Sequence, residues 1–105
     1  MRMWNVDPKL LCKQHLCGEH LETHMFHSTI KKKRSILGFI TKGLVEVHNI
    51  KKRHDELAKE MLRRNYNHKT ELPEFDSWEA GMVDVEQNVL ILKNKCEACK
   101  ERMEK

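Results

Sequence analysis

The sequence predicts an all-α fold: a single compact domain spanning residues 1–105, built from about three helices with irregular connecting loops. Two observations lead to this. Apolar residues recur at a spacing of three and four in three separate stretches, with no sustained alternation of the kind a strand needs. A chain of 105 residues with 39% hydrophobic and only 6% aromatic residues supports one modest aliphatic core, since second domains are not expected below about 150 residues.

The first helix is expected from Asp7 to about Phe26, with Asp7 as N-cap and Pro8 at the first helical position. Leu10, Cys17, Leu21 and Met25 then form the stripe that should face the core. His27 to about Arg34 reads as a basic turn. Leu44, Val47, Ile50, Leu57, Ala58 and Met61 predict a second helix from about Leu44 to Arg64, with Asn65 as its stop. Tyr66 to about Met82 holds Pro73, Asp76, Ser77 and Gly81 and reads as an ordered loop. Val85, Val89, Leu92, Cys96 and Cys99 predict a third helix from Val83 to Arg102. Trp78 is expected in the core, pinning the long loop. Trp4, close to Met1, is either a second anchor or a surface on which a base stacks.

Charge points to a partner. Lys and Arg number 20 against 16 acidic residues, and the excess is clustered. Lys31, Lys32, Lys33 and Arg34 are contiguous, and Lys51, Lys52, Arg53, Arg63 and Arg64 lie on the central helical segment. Such clusters suit a polyanion, the plain alternative being a solvated face. No apolar run approaches the roughly 20 residues needed to span a bilayer, and the N-terminus lacks the apolar core of a secretory signal. A soluble, cytoplasmic protein is expected, with its four cysteines as thiols or metal ligands rather than disulfides.

Chemistry concentrates between Met1 and Phe26. At about 100° per residue, His15, Gly18 and Glu22 share one stripe of the first helix. A mid-helix glycine costs about 1 kcal/mol relative to alanine, so Gly18 reads as a notch for close approach to the backbone, flanked by an imidazole and a carboxylate. The alternatives are a structural histidine, a solvated carboxylate and a glycine that permits helix packing. Glu19 is expected on the surface. Only a short arm precedes Asp7, so the α-amine of Met1 lies on a tether that can fold back to this face. Arg2 is bulky, and Met1 is therefore expected to be retained. An α-amine titrates at about 7.7 to 8.0, so part of it is an uncharged nucleophile near neutral pH. An amine beside a carboxylate equips a site for imine chemistry.

These residues resemble the phage and viral pyrimidine-dimer DNA glycosylases, also called endonuclease V. The family's run Q-H-L-x-x-E-x-x-E is matched by Gln14, His15, Leu16, Glu19 and Glu22, and a second block from Ile36-Leu37-Gly38 through NIKKRHDELAKEMLRRNYNHK resembles the family's F-I-L-G segment and central basic helix. Together the blocks cover about half of the chain. The resemblance implies a glycosylase with AP lyase activity in which Met1 supplies the nucleophilic amine and Glu22 the catalytic carboxylate. It further implies that damaged double-stranded DNA is bound through Arg2, His15, Gly18, Lys31, Lys32, Lys33, Arg34, Lys52 and Arg53 by a monomer. Where the family has phosphate-gripping arginines on the first helix, this chain has Leu21 and Met25, and the family's aromatic-rich C-terminus is missing.

No metal or organic cofactor is expected for that chemistry. Cys96-Glu97-Ala98-Cys99 has the close spacing used at zinc sites, and Cys12 and Cys17, or a histidine such as His15 or His20, would complete a structural site only if the first and last helices meet. His20 and His24 are i, i+4 neighbours, but HLETH lacks the glutamate placement of H-E-x-x-H. Two other classes stay open: a DNA-binding or inhibitory relative without activity, and a metal-dependent hydrolase built on the histidines.

Overall fold

A computed structural model describes every residue of the chain except Lys69. Its helices are α1 (Lys13–Lys31), α2 (Leu37–Thr41), α3 (Ile50–Arg63), α4 (Val85–Lys95) and α5 (Glu97–Met103), with 3₁₀ turns at Pro8–Leu10 and Val47–Asn49. No strand occurs among the described residues. The fold is all-α as expected, but with five helices among the described residues rather than about three.

Local chemistry explains the extra breaks. Asp7 does act as an N-cap, accepting from the Lys9 N–H at 3.0 Å, but it opens the short 3₁₀ turn and not the long helix. The long helix begins only after Cys12 and runs through the expected basic turn to Lys31. There Lys33 takes the left-handed conformation at φ 58° while the N–H groups of Lys33 and Arg34 return to the carbonyls of Ile30 and Thr29. That is a Schellman closure with lysine where glycine is usual. Asn65 stops α3 in the same way, at φ 63° with Tyr66 N–H on the Met61 carbonyl. The expected third helix is cut at Cys96, which leaves helical geometry to cap α5.

Helices α1 and α3 pack antiparallel, and their buried faces are layered. At one end Leu16 meets Leu57 and Met61 with Val6, Leu11, Leu92 and Cys99; at the other Phe26 meets Ile50 with Met3, Ile36, Val45, Val47, Leu72 and Val83. Between these two apolar layers lies a polar one. Glu19 and Arg53, 1% and 4% exposed, form a bidentate ion pair at 2.6 and 2.8 Å. Beside them the ring nitrogens of His20 and His54 meet at 3.1 Å, and His24 and His68 pack edge-on to them.

The structure corrects several expectations. Glu19 is not on the surface, and Arg53 is not free for a phosphate, because each neutralises the other inside the protein. Leu21 and Met25 do not face the core; they are 59% and 43% exposed, and the buried face of α1 is Leu16, Glu19, Thr23 and Phe26. Trp78 is likewise no core anchor, being 47% exposed on the long loop. Arg64 is also turned inward. It donates to the carbonyls of Pro8 and Leu11 at 3.0 and 2.8 Å and to Glu60 at 2.7 Å, so it braces the first 3₁₀ turn.

Removing one partner of a buried, paired charge strands the other, at a cost of about 3 to 5 kcal/mol. Arg53→Ala should therefore lower stability by about that amount in denaturant unfolding, and a loss below about 1 kcal/mol would show that the pair does not organise the interior. The histidines add a pH dependence. Burial, with lesser contributions from His54, His24 and His68, depresses His20 from 6.5 to about 4. Its folded form thus binds a proton less tightly than its unfolded form, so its stabilising contribution is complete above pH 6.5 and is lost as the pH falls through about 4. The melting temperature should drop over that window, and less so in His20→Gln; equal drops in the two proteins would refute the assignment to His20.

Candidate functional site

The outward edge of α1 forms one wall of an open cleft of about 460 Å³, lined by Arg2, Trp4, Gln14, His15, Gly18, Glu19, Leu21, Glu22 and Met25. The opposite wall is the N-terminal arm, which is held at several points. Met3 is fully buried and donates its N–H to the Leu44 carbonyl at 2.7 Å. Asn88 of α4 donates to the Trp4 carbonyl at 2.8 Å and accepts from Arg2 Nη2 at 2.6 Å. Asn5 then turns the chain with φ 54°, its side chain donating to Glu46 at 3.1 Å. The left-handed region is one that asparagine tolerates better than most residues.

So anchored, the arm brings the α-amine of Met1 to 4.0 Å from Glu22 Oε1. The carboxylate is half-buried. Burial pushes the Glu22 carboxyl up, while the Met1 ammonium and the Arg2 backbone N–H oppose that rise by stabilising the anion. Burial lowers Arg2, opposed by Glu22 and Glu19. The Arg2 guanidinium lies 4.0 Å from the centre of the Trp4 ring, and its Nε is buried with no partner among the described residues. The amine and the carboxylate that the sequence singled out are thus neighbours across a cleft.

Gly18 sits between them and His15 on the same wall. A Cβ at Gly18 would meet no atom within 4 Å, so close helix packing does not account for the glycine. The notch opens into the cleft. His15 lines the cleft too, with its ring edge-on to Trp4 at 5.7 Å, but Nδ1 is directed at Cys12 Sγ (3.2 Å) and Cys99 Sγ (3.5 Å). Burial lowers its pKa, with Glu19 opposing.

The basic residues are distributed differently from the expectation. Lys31, Lys32, Lys33 and Arg34 are all exposed at the closed end of α1. Lys52 is exposed but lines a separate hollow beside Asn5, Glu46, Asn49 and Glu56, and Arg53 is the buried partner of Glu19. Sequence reasoning missed Asn88, which pins the arm from a helix near the other end of the chain. It also missed that Leu21 and Met25 furnish an apolar lip to the cleft. Helical periodicity marks apolar faces, and it offers no signal that a lone asparagine serves as a clamp.

A family model described as pyrimidine dimer DNA glycosylase matches residues 1–74. No curated protein and no solved structure matches the chain. The matched span contains the whole arm, α1 and α3, while Asn88 and the last two cysteines lie beyond it.

Filling the notch separates access from folding. Gly18→Ala should stabilise α1 by up to about 1 kcal/mol through helix propensity, yet, for the glycosylase activity proposed below, it should reduce turnover on damaged duplex DNA by on the order of 10²-fold, the effect of a misplacement near ~1 Å. Thermal melting and a strand-cleavage assay check the two halves; unchanged turnover would mean that nothing approaches α1 at that point.

Proposed function

The chain belongs to the pyrimidine dimer DNA glycosylase family, and from that premise we propose that it excises a damaged pyrimidine and then cleaves the strand as an AP lyase, using the Met1 amine and Glu22. The observation that supports this reading best is the 4.0 Å approach of the α-amine to the Glu22 carboxylate. In the proposed sequence the neutral amine attacks C1′, the glycosidic bond breaks with its electron pair leaving on the base, and sugar-ring opening gives an imine between Met1 and C1′. Glu22 stabilises the positive charge that develops on nitrogen and then helps to remove the C2′ proton. The electrons released at C2′ expel the 3′ phosphate by β-elimination, and water hydrolyses the imine to free the amine. A carboxyl raised by burial and lowered by an adjacent ammonium is suited to both accepting a proton and countering a cation.

Binding is proposed to come from Arg2 at the cleft and from the exposed run Lys31, Lys32, Lys33 and Arg34, with affinity that weakens as salt rises. Trp4, beside Arg2 and on the rim, offers a face or edge to a displaced base. The exposed lip of Leu21 and Met25 provides apolar contact where the family carries arginines. Arg53 is left out of this surface because Glu19 already neutralises it.

The test is a pair of measurements on Glu22→Gln, which keeps size and reach but removes the charge. Cleavage of damaged duplex should fall by on the order of 10² to 10⁴, the usual loss for a positioned acid-base group, while borohydride should still trap an imine at a pre-made abasic site. A protein carrying a verified extra residue before Met1 should lose both. Near-normal cleavage by Glu22→Gln, or full activity in the extended protein, would overturn the mechanism.

A further inference from the structure

Three thiols and an imidazole converge at the start of α1. Cys12 caps that helix, His15 lies one turn on, Cys96 caps α5, and Cys99 lies one turn into α5. Their donor atoms, three Sγ and His15 Nδ1, all fall within 4.8 Å of one another. Cys12 Sγ is 3.8 Å from Cys96 Sγ and 3.2 Å from His15 Nδ1, and Cys99 Sγ is 3.5 Å from the same nitrogen. With Zn–S about 2.3 Å and Zn–N about 2.0 to 2.1 Å, a regular tetrahedron has S···S edges of about 3.8 Å and S···N edges of about 3.5 to 3.6 Å. The protein already holds the donors near the corners of such a tetrahedron.

We propose that Cys12, His15, Cys96 and Cys99 bind one zinc ion, a structural site that fastens the start of α1 to α5. Closed tetrahedral sets of four protein donors are the mark of structural rather than catalytic zinc, and sulfur-rich sets select zinc over harder cations. Main-chain N–H groups already face two of the sulfurs. The Cys12 N–H points at Cys99 Sγ at 3.3 Å and the Cys99 N–H at Cys96 Sγ at 3.5 Å, and Cys12 stands at the positive end of a 19-residue helix.

Two alternatives fit less well. A disulfide would need the two sulfurs at about 2.05 Å. Those of Cys12 and Cys96 stand at 3.8 Å, the length of a coordination edge. The histidine group formed by His20, His54 and His68 also clusters its nitrogens, but the 3.1 Å His20–His54 separation is a hydrogen bond between two rings, and His54 Nδ1 faces Asp55 at 2.9 Å. Cys17, which the sequence offered as a ligand, lies outside the thiol group, and His15 takes its place.

The site does not depend on the glycosylase reading. Full-length protein prepared under reducing conditions with zinc in the growth medium should contain one zinc per chain by elemental analysis. Exchange of that zinc for cobalt(II) should give intense thiolate-to-cobalt charge-transfer absorption with the visible bands of a tetrahedral ion. Cys96→Ser should lose most of the charge-transfer intensity, whereas Cys17→Ser should keep it. Should Cys96→Ser fail to fold, cobalt titration of the unaltered protein, with melting temperatures measured with and without a chelator, still decides the matter: the chelator should lower the melting temperature. Protein lacking zinc and giving no thiolate–cobalt band would overturn the proposal. So would cobalt bound without such a band, which would place the metal on the imidazoles, or a Cys12–Cys96 disulfide found by mass spectrometry under the same reducing conditions.

Discussion

The Glu19–Arg53 ion pair is the constraint from which the rest of the molecule follows. It lies where the two longest helices meet, between two apolar layers that by themselves would tolerate sliding. Apolar contact is non-directional, whereas a bidentate guanidinium–carboxylate pair fixes both distance and orientation. A slip of one helical turn would move the partners by about 5.4 Å and leave two charges buried without compensation. The pair therefore adds little net free energy relative to an apolar contact of similar volume, yet it penalises other registers heavily. Once α1 is fixed in rotation, the position of its cleft face is set as well: with Glu19 turned in against α3, Gly18 and Glu22 fall along the edge that faces the N-terminal arm.

The arm illustrates how a small protein positions its N-terminal amine without a rigid element. The fixing contacts each use a different interaction: burial of Met3, its main-chain bond to Leu44, the side-chain clamp of Asn88 on Trp4 and Arg2, and the left-handed turn at Asn5. The Arg2 side chain lies against Trp4 rather than reaching for Glu22, so the carboxylate meets the terminal ammonium and one backbone N–H. A stronger guanidinium partner would hold the carboxyl far below its usual range, as Arg63 and Arg64 do for Glu60, which they bring down to about 2. Glu22 escapes that fate, as the proposed proton transfer requires.

How much of this was legible in the sequence depends on which force was at work. Helix content follows from apolar spacing, and the stripe of His15, Gly18 and Glu22 follows from helical geometry, so both could be read directly. The buried face of α1 could not be read that way, because its centre is Glu19 and Thr23 rather than aliphatic residues, and a hydrophobic stripe drawn through Leu21 and Met25 points at the cleft instead. The partner that makes Glu19 burial tolerable sits on a different helix, where Arg53 looks like any other base on a basic segment. Asn65 marked the end of α3 in the sequence, but the end of α1 was hidden: lysine at a left-handed closure position gives no signal, and α1 continues past Phe26 to Lys31. Cys96-x-x-Cys99 was visible as a motif, but its meeting with Cys12 and His15 rests on tertiary contact between the two ends of the chain.

That contact between chain ends bears on how this sequence can be recombined. The family match ends at residue 74, and every group proposed to do chemistry lies before that point, yet Asn88 holds the arm from beyond it. The clamp that completes the hold on the arm is thus drawn from a separate stretch of the polypeptide. A chimera joined near residue 74 to an unrelated C-terminal half would inherit the amine, the carboxylate and the Met3 and Asn5 contacts while losing the Asn88 clamp on the arm. In this protein the unit of exchange is larger than the unit of sequence similarity.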